Sequence, residues 1–385
     1  MTQPPPSGPW GAQPPQQPGN WQGYPGGQQG PGPQGQWNPQ QQWPSPAPAP
    51  KKGPLKWVLG AIALIAVIAV TAVVAVSCAG GNGSNNGNGG GTPSSGSKSD
   101  IASANDTGPV SVITEDPSCA PWIPVNNIVA GTQKKAGWDQ RDPSIPASAW
   151  TPEMRSSYNS VADAMRTAAD QTVPLVKITP HRVMRELYEQ YVAYLRIFVS
   201  TVSSYTPANN EVVATATAIG SVITDICNAI SYGSAAARGP LVSAADTPRN
   251  TAPIGNPNNP QKFIASPDAQ CSDWQRATDE LTSSPIFTDW LKIDSNTAAS
   301  GWSPQDKQAN DAVKPVLSRA VDAYEQLAHT NSNPIIVDFG TLAVQYGRAF
   351  INGMPTYTPA DLNLYLVFLR APGIITSACK AVGTN

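Results

Sequence analysis

The sequence predicts an all-α protein: two tandem repeats, each a disulfide-stapled three-helix unit with an extended Trp/Pro leading segment, after one transmembrane helix and a disordered tail. Three observations carry this reading. An uncharged apolar run from Trp57 to Ala79 stands between two polar, low-complexity tracts. Sliding the region after it against itself by 152 residues brings Cys119 onto Cys271 and Cys227 onto Cys379. Between those cysteines apolar residues recur at helical spacing, and strand-like alternation is absent over any useful length.

Residues 1–56 form the tail. The first fifty carry no charged side chain and are dominated by Pro, Gly and Gln, with Trp10, Trp21, Trp37 and Trp43 scattered among them. So few aliphatic residues cannot offset the entropy of ordering, so disorder with local polyproline character is expected. Residues 57–79 follow as one transmembrane helix, about 34 Å long at 1.5 Å per residue, against a hydrocarbon core of about 30 Å. Lys51, Lys52 and Lys56 precede the run, and no charge follows it until Lys98, so the N-terminus is expected in the cytoplasm. The residues AVSC, ending at Cys78, loosely resemble a lipoprotein processing site, but Ala75 stands where Leu is usual. A free thiol at the outer boundary is the expected state.

Residues 80–110 are a Gly/Asn/Ser linker, 111–236 the first helical repeat, 237–263 a Pro/Asn-rich linker and 264–385 the second repeat. The 152-residue offset also pairs Trp122 with Trp274, Trp138 with Trp290 and Trp150 with Trp302. It overlays YLRIFVSTVSSYTPA at Tyr194 on YGRAFINGMPTYTPA at Tyr346. About one position in five is identical between the copies, the mark of a repeated structural unit. Acids coincide too, among them Asp170 with Asp322 and Glu186 with Asp338.

Helix starts fit Thr151-Pro152, Thr179-Pro180 and Thr206-Pro207 in the first copy, and Ser303-Pro304, Asn333-Pro334 and Thr358-Pro359 in the second. Each sets a capping side chain before a proline whose missing N–H costs nothing in the first turn. Pro315 and Pro372 should kink or split the first and third helices of the second copy.

Four cysteines after the span allow three pairings. If each copy once folded alone, the pairs are Cys119 with Cys227 and Cys271 with Cys379. A zinc or redox site is disfavoured: there is no CxxC, and His181 and His329 are not equivalent between copies. Metal ligands and cofactors are therefore not expected.

As ligand-binding candidates the sequence offers Arg196 and Arg348, each between two aromatics, and the paired Trp150 and Trp302. On a helix, however, Arg196 points away from the face shared by Tyr194 and Phe198, which favours an ion pair with an acid such as Asp170 or Glu186. The tryptophans better suit a role burying the leading segment against the helices. No GxSxG, P-loop, HExxH or dinucleotide fingerprint occurs, so no catalytic residue is assigned. Beyond the three lysines before the span, 21 Lys+Arg face 26 Asp+Glu, and that net charge of −5 argues against nucleic acid as a partner.

The Pro/Gly/Gln-rich tail and single span resemble those of single-pass envelope proteins of mycobacteria and related actinobacteria. The resemblance covers only the tail and span. It implies a cell-envelope setting and carries no binding residue to the duplicated region.

The expected function is non-enzymatic: a single-pass membrane protein, N-terminus cytoplasmic, presenting duplicated helical binding or scaffold modules outside the cell membrane. Protein partners are expected on the outer side, with a cytosolic partner for the tail. A lipid- or glycan-binding carrier is the alternative, and an envelope hydrolase the third.

Overall fold

The computed structural model describes residues 100–383. The expected tail and membrane span, and most of the first linker, lie outside them. Among the described residues there are ten α-helices and no strand. The N-terminal half holds α1 (Cys119–Lys135), α2 (Pro152–Ile178), α3 (Arg182–Thr201), α4 (Asn209–Ser231) and the short α5 (Ser234–Arg238). The C-terminal half holds α6 (Cys271–Thr282), α7 (Pro285–Trp290), α8 (Pro304–Thr330), α9 (Pro334–Gly353) and α10 (Leu362–Val382).

The first correction concerns the leading segments, which are helical rather than extended. In α1, Trp122, Val125 and Val129 are spaced by three and four and bury one face. The prolines that suggested an extended chain are tolerated. Pro121 falls in the first turn, where N–H groups have no intrahelical partner, and Pro124 forfeits one bond while the buried face holds the helix. The matching segment of the C-terminal half is broken into α6 and α7 at Ser284-Pro285. Each half therefore has a leading helical segment besides its three long helices, not three helices alone.

Pro315 and Pro372 do not split their helices: α8 and α10 run through them. Tertiary burial on the flanking turns outweighs the local cost of a missing N–H. Four of the proposed starts sit at caps. Thr151 Oγ1 accepts from Met154 N at 3.2 Å, Ser303 and Asp306 form a capping box, and Asn333 Oδ1 accepts from Ile335 N at 3.1 Å. Thr358 and Asp361 form a second capping box, which opens a 3-10 turn leading into α10. Two are displaced: α3 starts at Arg182 and α4 at Asn209. Thr179 is drawn off because its hydroxyl donates to Asp116 Oδ2 at 2.5 Å.

Disulfides join Cys119 to Cys227 and Cys271 to Cys379, with Cα atoms 5.3 and 5.7 Å apart. Each ties the start of a leading helix to the last long helix of the same half. Tertiary contacts also recur 152 residues apart. Trp150 Nε1 donates to Ile145 O and Trp302 Nε1 to Thr297 O, both at 2.9 Å. Tyr205 OH donates to Pro143 O at 2.8 Å and Tyr357 OH to Ser295 O at 2.7 Å. The YTPA tyrosines thus fasten the loop before α2 and the loop before α8 in the same way.

One hydrophobic core spans both halves. Its centre is the packing of α4 on α10, while α3 meets α9. The α9 helix approaches its neighbours closely at two glycines. A Cβ at Gly340 would stand 2.7 Å from the Trp274 ring, and one at Gly347 2.7 Å from Phe368 and Val321. Residues 242–270 contain no regular helix, yet they are packed: Ile264 is buried, and Phe263 meets Tyr194 and Phe339 with ring centroids 6.1 and 5.5 Å away. The Gln190 side chain clamps this stretch, donating to Gln261 O at 3.0 Å and accepting from Phe263 N at 2.9 Å.

The helix Asn209–Ser231 and the stretch Pro359–Val382 are long and apolar enough to cross a membrane by length and composition, but both are mostly buried inside the bundle. We read them as the central core helices.

Candidate functional site

The residues singled out in the sequence are not brought together. Arg196 Nη2 pairs with Asp170 Oδ1 at 2.9 Å, one of the two acids expected for it, and Nη1 donates to the Asn258 carbonyl. Arg348 Nη2 pairs with Glu325 Oε2 at 2.5 Å rather than with Asp322, the counterpart of Asp170. Both guanidiniums are thus engaged at the surface. Trp150 is buried and stacks on Tyr158 with centroids 3.9 Å apart, and Trp302 stacks on Tyr357 at 5.7 Å. The tryptophans serve the interior of each half, and buried Trp150 presents no open platform.

The most unusual chemistry lies where α3 meets α9. Arg182, Arg185, Glu186 and Asp338 are at most 2% exposed, and Glu189 is 6% exposed. Buried charges at this density are stable only when paired and hydrogen-bonded. The Arg182 guanidinium forks onto Asp338, Nε to Oδ2 at 2.6 Å and Nη2 to Oδ1 at 3.0 Å. Its third nitrogen donates to the carbonyls of Asp106 and Gly108 at 2.8 and 3.0 Å. Burial works against the charged guanidinium, but the surrounding acids, Asp338 first, together outweigh it and raise the Arg182 pKa.

Arg185 Nη1 donates to both oxygens of Glu189, at 3.1 and 3.0 Å. Glu186 is served less well: Arg185 Nη2 stands 3.5 Å from Oε1, and Oε2 has no hydrogen-bond partner. Burial, then the neighbouring Asp338 carboxylate, pushes the Glu186 carboxyl well above the usual range. Burial also raises Glu189, against the pull of Arg185.

Two further pairs cross between the halves. Arg238 of α5 forks onto Asp361 at 3.0 and 2.8 Å and also donates to Thr356 O at 2.7 Å. Arg370 Nη1 of α10 meets Asp225 Oδ2 of α4 at 2.7 Å. Three Arg–Asp pairs therefore knit the halves together, with Asp338, Asp361 and Asp225 all buried.

Burial raises the Asp225 carboxyl to about 6 even though Arg370 opposes it. Folding thus strengthens proton binding at Asp225. Its contribution to stability is full below about pH 4 and is lost as pH rises towards 6, by about 1.4 kcal/mol per unit. Asp225→Asn is expected to flatten the pH 4–6 stability profile by one proton, read as the difference between urea midpoints of variant and parent. Equal slopes would refute the assignment.

Sequence reasoning overlooked this network, although signals were present. Asp225 and Arg370 each interrupt a long apolar helix, and Glu186 and Asp338 stand in register. A bundle of this kind, all-α and disulfide-bonded with two halves joined by buried ion pairs, defines a structural class but no reaction.

The chain belongs to the mycobacterial ESX-1 associated protein family, whose model matches residues 101–383. It is also 41% identical over 345 residues to an uncharacterized protein of Mycolicibacterium smegmatis (strain MKD8), across 89% of this chain and 91% of that one. That alignment is longer than the family match and so reaches into the first hundred residues. No solved structure matches the chain.

Proposed function

We propose that this protein is a non-enzymatic, secretion-related component of the mycobacterial cell envelope, acting with ESX-1 by binding protein partners through its helical bundle. Membership of the ESX-1 associated family is the observation that carries this reading. The two disulfides add to it, because such bonds persist in oxidising compartments and suit a bundle placed outside the cytoplasm. In this reading residues 57–79 are the single membrane anchor, the tail engages a cytosolic partner, and the bundle arose by internal duplication, its copies offset by 152 residues. The recurring Trp and Tyr contacts support the duplication, since separately evolved halves have no reason to repeat them.

The test is affinity capture of the full-length tagged protein from mycobacterial membranes, with quantitative mass spectrometry against a strain lacking the ESX-1 core genes. Enrichment of ESX-1 components is expected, and their absence after cross-linking would sink the reading. Reporter fusions on either side of residues 57–79 test the topology separately, with a periplasmic-active reporter expected to work only after residue 79.

A further inference from the structure

The charge cluster between α3 and α9 does not balance if every group is ionised. Two guanidiniums, Arg182 and Arg185, face three enclosed carboxyls, Glu186, Glu189 and Asp338. Both oxygens of Asp338 accept from Arg182, and both oxygens of Glu189 accept from Arg185. Glu186 is left over, 0% exposed, with one distant guanidinium contact and an unpartnered oxygen.

The groups around it are few. Asp338 comes from α9 and Arg182 and Arg185 from α3 itself, while the segment before α1 supplies Asp106, whose Oδ1 lies 3.7 Å from Arg182, and the buried Asp116, which Ser118 and Thr179 hold. The buried faces of α2 and α4 offer Tyr158 and Asp225 as titratable groups, and Asp225 is committed to Arg370.

We propose that Glu186 is held as a neutral carboxylic acid whose proton bridges to Asp338, making the join between the two halves a proton-dependent contact. The donor is the Glu186 O–H. The acceptor is an oxygen of Asp338, the neighbouring carboxylate that acts on Glu186, which has a second lone pair free beside its bond from Arg182. With Glu186 neutral, two guanidiniums balance two carboxylates. Removing that proton leaves an uncompensated negative charge beside a second carboxylate in a closed volume, the arrangement in which two acids share one proton.

Positions 186 and 338 are 152 residues apart. Where a duplicated unit packs on its own copy, a position on the axis meets itself. An acid kept there in both copies becomes such a pair.

Linkage fixes the sign. A folded-state carboxyl held above its unfolded value stabilises fully at low pH, and that stabilisation is lost as pH rises through the folded pKa. The folding constant of the full-length protein is expected to fall by up to tenfold per pH unit from the ordinary glutamate value of 4.5 up to the raised folded one. Glu186→Gln, which mimics the neutral acid, is expected to lose that slope while keeping the fold, read by urea titration upward from pH 4.5 as the difference from the parent, in which the Asp225 contribution cancels. If variant and parent show the same slope, the proposal is overturned. An infrared measurement on the full-length protein carrying 13C-labelled glutamate needs no variant. A carboxylic acid C=O stretch is expected at about pH 5.5, a unit above the ordinary glutamate range, and a spectrum with only ionised glutamates there would overturn the proposal whatever the variant does.

Discussion

Replacing Cys119 and Cys227 together by serine is expected to lower the stability of the folded chain by about 4 to 5 kcal/mol, and replacing Cys271 with Cys379 by a similar amount. The equality follows from geometry, because both bonds join residues 108 apart and so remove comparable freedom from the unfolded chain. The shared core adds a second expectation. With α4 packed on α10, loss of either bond shifts one common unfolding transition instead of melting its own half alone. Urea titration followed by both circular dichroism and tryptophan fluorescence checks this. Separate midpoints for the two signals would contradict a single cooperative unit. Peptide mapping after alkylation without reduction should recover the two cross-linked pairs and no free thiol among the four cysteines.

Arg182→Ala is the second large effect. The substitution removes the fork on Asp338, which is 1% exposed, and strips the Asp106 and Gly108 carbonyls of their donor. A buried carboxylate left without its partner costs about 3 to 5 kcal/mol. Asp338→Asn combined with Arg182→Ala should cost less than the two single losses added together, since the groups act as one network. Arg196→Ala serves as the contrast. Its ion pair with Asp170 is about one-third exposed on the arginine side and two-thirds on the aspartate side, so a change within roughly 1 kcal/mol is expected there. Thermal and urea denaturation of the four variants, the two singles, their double and Arg196→Ala, measured at one pH, decide the order.

The long helices were legible because their signals are local. Hydroxyl–Pro and Asn–Pro pairs mark where α2, α8 and α9 begin, and apolar spacing marks the faces they bury. The disulfide pairing was legible through the 152-residue offset. The leading helices were missed because Pro121 and Pro124 read as breakers. What holds α1 is burial of Trp122 against Tyr188 and Tyr191, with ring centroids 5.7 and 5.1 Å away, a contact between residues far apart in sequence. The ion pairs between the halves were hidden for the same reason. Glu186 and Asp338 were visible as matching acids, but their meeting depends on how α3 docks on α9, which no local pattern encodes. Arg196 and Arg348 drew attention through their aromatic neighbours, whereas Arg182 and Arg238, which hold buried carboxylates across the halves, have no Phe, Tyr or Trp within two positions.

The segment that leads into α1 has a consequence for the order of assembly. Val110, Val112 and Ile113 are buried, yet Ile113 N donates to the hydroxyl of Tyr346, 233 residues further on, at 3.2 Å. Arg182, which gathers the Asp106 and Gly108 carbonyls, is itself fixed by Asp338. On the ribosome this stretch therefore emerges early but has no complete seat until α9 has been made. The first part of the bundle to be synthesised is among the last to be locked, because the Tyr346 hydroxyl that accepts from Ile113 N and the Asp338 carboxylate that fixes Arg182 both come from α9. A chain arrested before residue 334 should keep this stretch open to protease, even with the Cys119–Cys227 bond already closed.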